Sequence, residues 1–511
     1  MGGELIATFG ADVANFDPVR QNDTTSTKAF DNLIYEGLLS VDFQGRPQPH
    51  LASSIDRQDD VTFTANLREG VMFHNGTELT AQDVKASFER YQGTPRESDV
   101  YDWYETSTVV DDYTLEIKLQ EAYAPFRFNV GVPIVPQAVA DGDIDLTENP
   151  VGTGPFKFVE HQPDSLFRIE RNEDYWYDGG DGDYPDQPPL ETVTFRVITE
   201  QSAAESALRA GDVDLINDPP AGSVSDFKSD SQWGFDERIA GGYDMFVYPM
   251  HEEAGTPFQN KKVRQGVNRL IPRDAIVEAV YDGQGIPAYS PISPLAAQFT
   301  SEDLNNELGE EYAAYDKEEA VRLLEEGFSE AGFDRPFSTQ IIANQNPQRV
   351  QWAQLIQEEM NSTEFWDVSF DQFEWNTYVG KILSENSHAQ NQIVAVGWSA
   401  GWDPDAYIRN VFHSDQFTPN CCNINHYSNE EIDDLIDQGV QTYDIEERAD
   451  IYEELQRTIV EESPLAFTRF GLEQDSWAAD TVGGFETYPI NGGEYYSLYA
   501  PWAQKATWVD K

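Results

Sequence analysis

The run Gly397-Trp398-Ser399-Ala400-Gly401-Trp402-Asp403-Pro404-Asp405-Ala406-Tyr407 sets two indoles and two carboxylates close together. Indole faces stack on flat or apolar groups and carboxylates pair with cations, so the run suits capture of a solute carrying both features. The competing account is structural, because tryptophans mostly contribute packed area. Ile393-Val394-Ala395-Val396, just before it, predicts a buried strand, and a loop leaving such a strand faces a crevice in α/β folds.

Other reactive residue types fail on spacing. Cys421 and Cys422 are adjacent and flanked as H-x7-C-C-x3-H by His413 and His426. A vicinal disulfide, two thiols and a zinc site all remain open, although neighbouring cysteines rarely reach tetrahedral positions on one ion without distortion. The seven histidines form no other ligand-spaced cluster, so neither a metal site nor a cofactor is expected. Asp141, Asp143 and Asp145 imitate the start of a calcium loop, but Leu146 and Gly152 stand where glycine and glutamate are required. The acidic run 178–183 fails in the same way. No nucleophile elbow, zinc-protease helix or phosphate loop occurs, and Gly152-Thr153-Gly154 runs into Pro155 and a strand-like stretch, which makes it a turn. An enzyme is not expected. Its nearest form, a glycosidase, would need two acids about 5–9.5 Å apart, and nothing nominates a pair.

The chain has 511 residues, enough for about three domains, with 92 acidic against 33 basic residues and a formal charge of -59. Only 11 of the basic residues are lysines. In dilute buffer such a surface repels itself, whereas in molar salt the Debye length falls to about 3 Å and the carboxylates stay hydrated, so a halophile source is expected. Nucleic acid is excluded as a partner by the lack of a basic footprint. No apolar run is long enough to span a bilayer, and no export-signal pattern follows Met1, where the chain passes almost directly into Leu5-Ile6-Ala7-Thr8-Phe9.

Strands and helices interleave along the chain, which gives an α/β class. Within 61–91, Phe63 and Ala65 alternate with threonines, Asn75-Gly76 is a turn dipeptide, and Thr80 with Asp83 can cap a helix whose Val84, Phe88 and Tyr91 share a face. Asp316 with Glu319, Ser428 with Glu431 and Asp444 with Glu447 predict three further helix starts. In the last helix Ile445, Tyr452, Leu455 and Ile459 fall on one side.

The string L-R-x-G-V-x-F-H-x-G-x-x-L-T-A-x-D-V-x-x-S-x-x-R, from Leu67 to Arg90, resembles a segment of the peptide/nickel type of extracellular solute-binding proteins (family 5) that serve ABC importers. Further stretches are similar to that family in the same order: Leu33 to Leu39, Val151 to Phe156, Arg171 to Trp176 and Ala207 to Asp214. The resemblance implies a two-lobed periplasmic-binding-protein (type II, Venus-flytrap) fold with an inserted small α/β domain. Lobe I would comprise 1–41, 150–240 and 470–511, the small domain 42–149 and lobe II 241–469, with hinge strands near 243–250 and 465–470. It implies a monomeric extracellular receptor with a removed export signal and a lipid-anchoring cysteine, the sole link to the membrane. The receptor would close on a di- or oligopeptide in the interlobe cleft and hand it to the permease, with its ATPases. In peptide binders of this family the strand-end loop supplies an aromatic wall and an aspartate for the ligand's α-ammonium. Here Gly401 stands at that aspartate's place, so Asp403 or Asp405 is the substitute, with Trp398 and Trp402 as walls. Oligosaccharide-binding relatives make a sugar the alternative ligand, with a nickel complex after it. Asn15 and Phe16, in the turn before Asp17-Pro18, and Tyr35 and Trp375 are weaker cleft candidates. A core role is the simpler reading of Tyr35, Trp375 and Tyr378.

Overall fold

The computed structural model describes residues 2–20, 26–27, 30–147, 149–177, 184–490, 494–500 and 505–511. The acidic run 178–183 lies outside the described residues. The chain forms two compact units, Met1–Arg238 with Glu473–Lys511, and Ile239–Leu472.

In the first unit, strands Glu4–Phe9 and Thr192–Val197 pair in parallel, and Leu166–Arg171 and Phe156–Gln162 extend the sheet antiparallel. A separate antiparallel sheet runs in the order Ala52–Arg57, Thr62–Leu67, Thr114–Leu119, Tyr104–Asp111. Its second strand shows the expected alternation, with Phe63, Ala65 and Leu67 buried and the residues between them partly exposed. The turn uses Gly76 at φ +84°, a conformation that glycine takes without a Cβ clash. Helix Ala81–Glu89 follows, and the Thr80 backbone N–H and hydroxyl both donate to Asp83 Oδ2, at 2.8 and 2.7 Å. Asp83 Oδ1 accepts from the Gln137 N–H at 2.7 Å, which ties the helix to a distant segment, and Val84, Phe88 and Tyr91 are buried beneath it.

Three landmark stretches of this unit, Leu33 to Leu39, Val151 to Phe156 and Arg171 to Trp176, converge on one buried carboxylate, Glu36. Thr153 Oγ1 donates to it at 2.7 Å, Tyr175 Oη at 2.6 Å and Trp176 Nε1 at 3.0 Å, while His50 Nε2 lies 2.8 Å away. Burial alone would raise the Glu36 carboxyl, but the His50 ring and these hydrogen bonds outweigh it and hold it below the usual carboxylate range.

The second unit is built on a six-stranded mixed sheet ordered Ile286–Pro287, Leu465–Phe470, Tyr243–Val247, Gln392–Trp398, Phe337–Asn344, Trp366–Phe373. Met245, Val247, Val394 and Val396 pack into one core, Phe246, Ile393 and Ala395 into another. Both faces of the central strands are therefore covered, and that is why 393–396 reads as a continuous apolar run. The runs 243–250 and 465–470, read as strands, contribute Tyr243–Val247 and Leu465–Phe470 to the interior of this sheet. The chain passes between the units at 238/239 and 472/473.

Helix Lys317–Ala331 starts at Asp316 and Ile445–Glu462 at Asp444, each aspartate accepting from two backbone N–H groups of the first turn. The third cap is Asn429 rather than Ser428: the asparagine oxygen reaches the Glu431 and Ile432 N–H groups and does the work expected of serine one residue earlier. Tyr452, Leu455 and Ile459 are buried, but Ile445, at the first residue of its helix, is 44% exposed.

Candidate functional site

Strand Gln392–Trp398 ends opposite Tyr243, at the edge of the sheet where the chain enters the second unit. Immediately before Tyr243, Gly241 and Gly242 form a seat for the loop. A Cβ on Gly241 would meet the Ala400 carbonyl oxygen at 1.9 Å, and one on Gly242, which sits at φ +105°, would meet that of Trp398 at 2.1 Å. The loop is pinned from beyond as well. Trp398 Nε1 donates to the Ala406 carbonyl at 2.7 Å, Tyr407 Oη to Gly401 at 2.8 Å, and Tyr243 Oη to Tyr407 at 2.8 Å.

The tryptophan–aspartate run divides at Gly401. Residues 397–401 are partly or fully accessible, whereas Trp402, Asp403 and Asp405 are buried. Asp403 is gripped by Arg448 through two hydrogen bonds of 2.6 and 2.8 Å and also accepts from the Asp405 N–H at 2.9 Å. Arg448 donates further to the Gly439 carbonyl at 2.7 Å and lies over the Phe299 and Tyr452 rings. Asp405 meets Arg409 at 3.3 Å. Burial pushes the Asp405 carboxyl up to about 6, against the pull of Arg409. Both acids thus have arginine partners inside the unit, and of the two expected walls only Trp398 is reachable. Gly401 is open: a Cβ there would meet nothing within 4 Å.

A charged group that spacing does not reveal adjoins Gly397, the residue before Trp398. Sheet pairing sets Asp244 opposite Gly397 on one side and Arg469 on the other. Arg469 Nε lies 3.4 Å from Asp244, the Tyr281 hydroxyl donates to the same carboxylate at 3.2 Å, and Arg469 stacks 3.6 Å from the Tyr281 ring centroid. Arg349, in the first turn of helix Pro347–Asn361, donates to Asn344 Oδ1 at 2.8 Å and reaches Asp244 only at 3.7 Å. Its buried Nε has no hydrogen-bond partner. A Cβ on Gly397 would come within 2.7 Å of Arg349 Nη2, so glycine leaves the guanidinium its place beside the strand. Two arginines face one carboxylate here, a local positive excess on a chain of charge -59.

The weaker candidates are distributed otherwise. Asn15 Oδ1 accepts from the Asp17 N–H at 2.7 Å as a turn cap, and Phe16 packs against Phe158 and Phe167. Tyr35 is buried and donates to the Phe16 carbonyl at 2.9 Å; Tyr378 is buried and donates to Ala395 at 2.7 Å. Trp375 departs from the core reading, being 52% exposed at the start of helix Trp375–Ile382. Cys421 and Cys422 are joined to each other, and His413 turns toward Asp437, at 3.5 Å. The first unit holds a cavity of about 600 Å³ at the carboxyl ends of Glu4–Phe9 and Thr192–Val197, lined among others by Gly10, Glu200, Ser202, Asn217 and Asp218. Its position follows the rule for open α/β sheets, but its residues are scattered in the sequence.

A reachable indole, an under-satisfied guanidinium and fixed backbone groups make this strand end the candidate binding site. Two α/β units connected by two chain crossings are the framework of a solute receptor. Residues 46–419 match the family described as bacterial extracellular solute-binding proteins, family 5 Middle, and the chain belongs to that family. It is 28% identical to the oligopeptide-binding protein AppA of Bacillus subtilis, over 99% of this chain and 92% of AppA. The solved structure of Bacillus subtilis AppA in complex with a nonapeptide has a TM-score of 0.73 at 26% identity, covering 100% of this chain and 99% of that one. HbpA2 from Haemophilus parasuis has a TM-score of 0.83 at 22% identity, with 99% and 100% covered.

Proposed function

We propose that this protein captures a peptide outside the cell and delivers it to the permease of an ABC importer. The observation that carries the choice of ligand is Arg349. A guanidinium with a buried Nε lacking a partner, set beside Gly397 at the strand end that leads into Trp398, calls for a planar anion, and a peptide's terminal carboxylate supplies one. Trp398 forms the wall, and Asp403 and Asp405 serve it indirectly by holding the loop through Arg448 and Arg409. The likeness to an oligopeptide-binding protein supports the same ligand class. An oligosaccharide is the second reading, favoured by the absence of an acid at Gly401 and by the flat Trp398 face. We extend the proposal to a monomer with lobe I at 1–41, 150–240 and 470–511, a small domain at 42–149 and lobe II at 241–469. A lipid anchor would hold it at the cell surface, and the charge of -59 suits a high-salt habitat.

The test is calorimetry in molar salt with short peptides, their C-terminal amides and cello-oligosaccharides. Free-acid peptides bind at least tenfold more tightly than their amides, and Arg349→Met erases that difference. Sugar binding with no peptide response overturns the peptide reading.

A further inference from the structure

Three of the seven histidines, far apart in sequence, meet at the edge of the second unit's sheet opposite to Trp398. His251 follows strand Tyr243–Val247 beyond its carboxyl end, and His388 precedes the amino end of the antiparallel strand Gln392–Trp398. His426 comes from the loop after the cysteine pair, at φ +50°. One ring nitrogen from each lies within 4.8 Å of one from each of the others. The ring centroids of His388 and His426 are 3.9 Å apart, and those of His251 and His388 are 4.5 Å apart. We propose that His251, His388 and His426 form a binding site for a divalent transition-metal ion of the zinc type, separate from the solute site.

The hydrogen bonding of His388 and His426 leaves one nitrogen of each for an ion, while His251 Nδ1 accepts from the Glu253 N–H at 3.4 Å and its Nε2 takes no part in that bond. His426 Nε2 lies 3.0 Å from both the carbonyl and the hydroxyl of Thr418, so an Nε2–H donated to that carbonyl leaves Nδ1 as a lone pair. His388 Nε2 lies 3.4 Å from the Glu253 carboxylate, and its Nδ1 is buried with no hydrogen-bond partner. A backbone carbonyl behind one imidazole and a carboxylate behind another are the outer partners that fix tautomer and raise basicity in metal-bound histidines. Without an ion a buried nitrogen of His388 stays unsatisfied, and a bound cation removes that penalty.

The dimensions fit. Zn–N bonds of about 2.0–2.1 Å set nitrogens about 3.3 Å apart around a tetrahedron, so rotation of the rings closes the remaining gap of up to about 1.5 Å. Imidazole donors suit zinc, nickel and copper, and three of them leave a fourth position for water. The bound ion would clamp three loops that the sheet's own hydrogen bonds do not join.

The experiment uses the whole chain, stripped with chelator and titrated with zinc sulfate by calorimetry in excess magnesium, which occupies the surface carboxylates. The expected result is one zinc per chain, with affinity at least tenfold lower in His388→Gln and in His426→Gln and unchanged in His413→Gln. A zinc-dependent rise in melting temperature should vanish in the first two variants and persist in His413→Gln. Zinc uptake that magnesium abolishes, or that His388→Gln and His426→Gln leave intact, overturns the site. Peptide titrated into zinc-loaded protein should bind as to the stripped protein; displacement of zinc by peptide would overturn the separation of the two sites.

Discussion

Replacing Arg448 by methionine tests whether the aspartates beside Trp398 support the loop. The side chains of Arg448 and Asp403 are 3% and 7% exposed, so each is charged where water cannot compensate it. In Arg448→Met, Asp403 loses two charge-assisted hydrogen bonds and keeps only the Asp405 N–H. Removing one partner of a buried ion pair costs about 3–5 kcal/mol, a large share of the roughly 5–15 kcal/mol that holds a domain together. For a domain of this size that is a fall in melting temperature of about 6–20 °C. The double variant Asp403→Leu with Arg448→Met carries no orphan charge and should be more stable than Arg448→Met alone by at least about 1 kcal/mol. Urea unfolding of wild type, both single variants and the double variant closes the cycle. A loss below about 1 kcal/mol in Arg448→Met, or strictly additive effects, would refute a buried pair that pins the loop.

Asp405 gives a pH signature. Its folded-state pKa of about 6 lies above the ordinary carboxylate value, so its contribution is complete below about pH 4 and lost as pH rises through 6. Asp405→Asn should therefore be more stable than wild type at pH 7.5, by up to about 3 kcal/mol, and level with it at pH 4 in parallel urea melts. Glu36 has the opposite sign: its lowered pKa gives stability that is present above the ordinary carboxylate value and lost as pH falls through the folded-state value. Glu36→Gln should lose about 3 kcal/mol at pH 7 and show a flatter acid limb; an unchanged limb in thermal melts would count against the hub. Gly401→Asp meets no neighbour, so the fold should change by less than about 0.5 kcal/mol while affinity for dipeptides with a free α-ammonium rises at least tenfold. Calorimetry showing no gain would place the ammonium elsewhere.

Local features of this chain are legible in its sequence where local chemistry decides them. The alternation in Thr62–Leu67, the Thr80–Asp83 cap, the helix starts at Asp316 and Asp444 and the double-sided burial of 393–396 each depend on residues within one turn or strand. The candidate site is not legible in that way. Whether Asp403 faces a ligand or a counterion turns on Arg448, 45 residues later, and the Asp244–Arg349–Arg469 group exists only because sheet pairing and a helix start bring its members together. The histidine cluster is hidden for the same reason, its members lying on three separate connections. Spacing motifs record only those sites whose ligands share an element.

The Glu36 hub limits how such receptors can be recombined. Its hydrogen-bond donors lie 117, 139 and 140 residues further along the chain, so any chimaera with a breakpoint between 37 and 152 mixes parental contributions around one buried carboxylate. A graft that exchanges Ile239–Leu472 as a block leaves every member of the hub from one parent. If the proposed site holds, the Trp398 loop and its arginines travel with that block, and specificity moves while the buried carboxylate keeps all its partners.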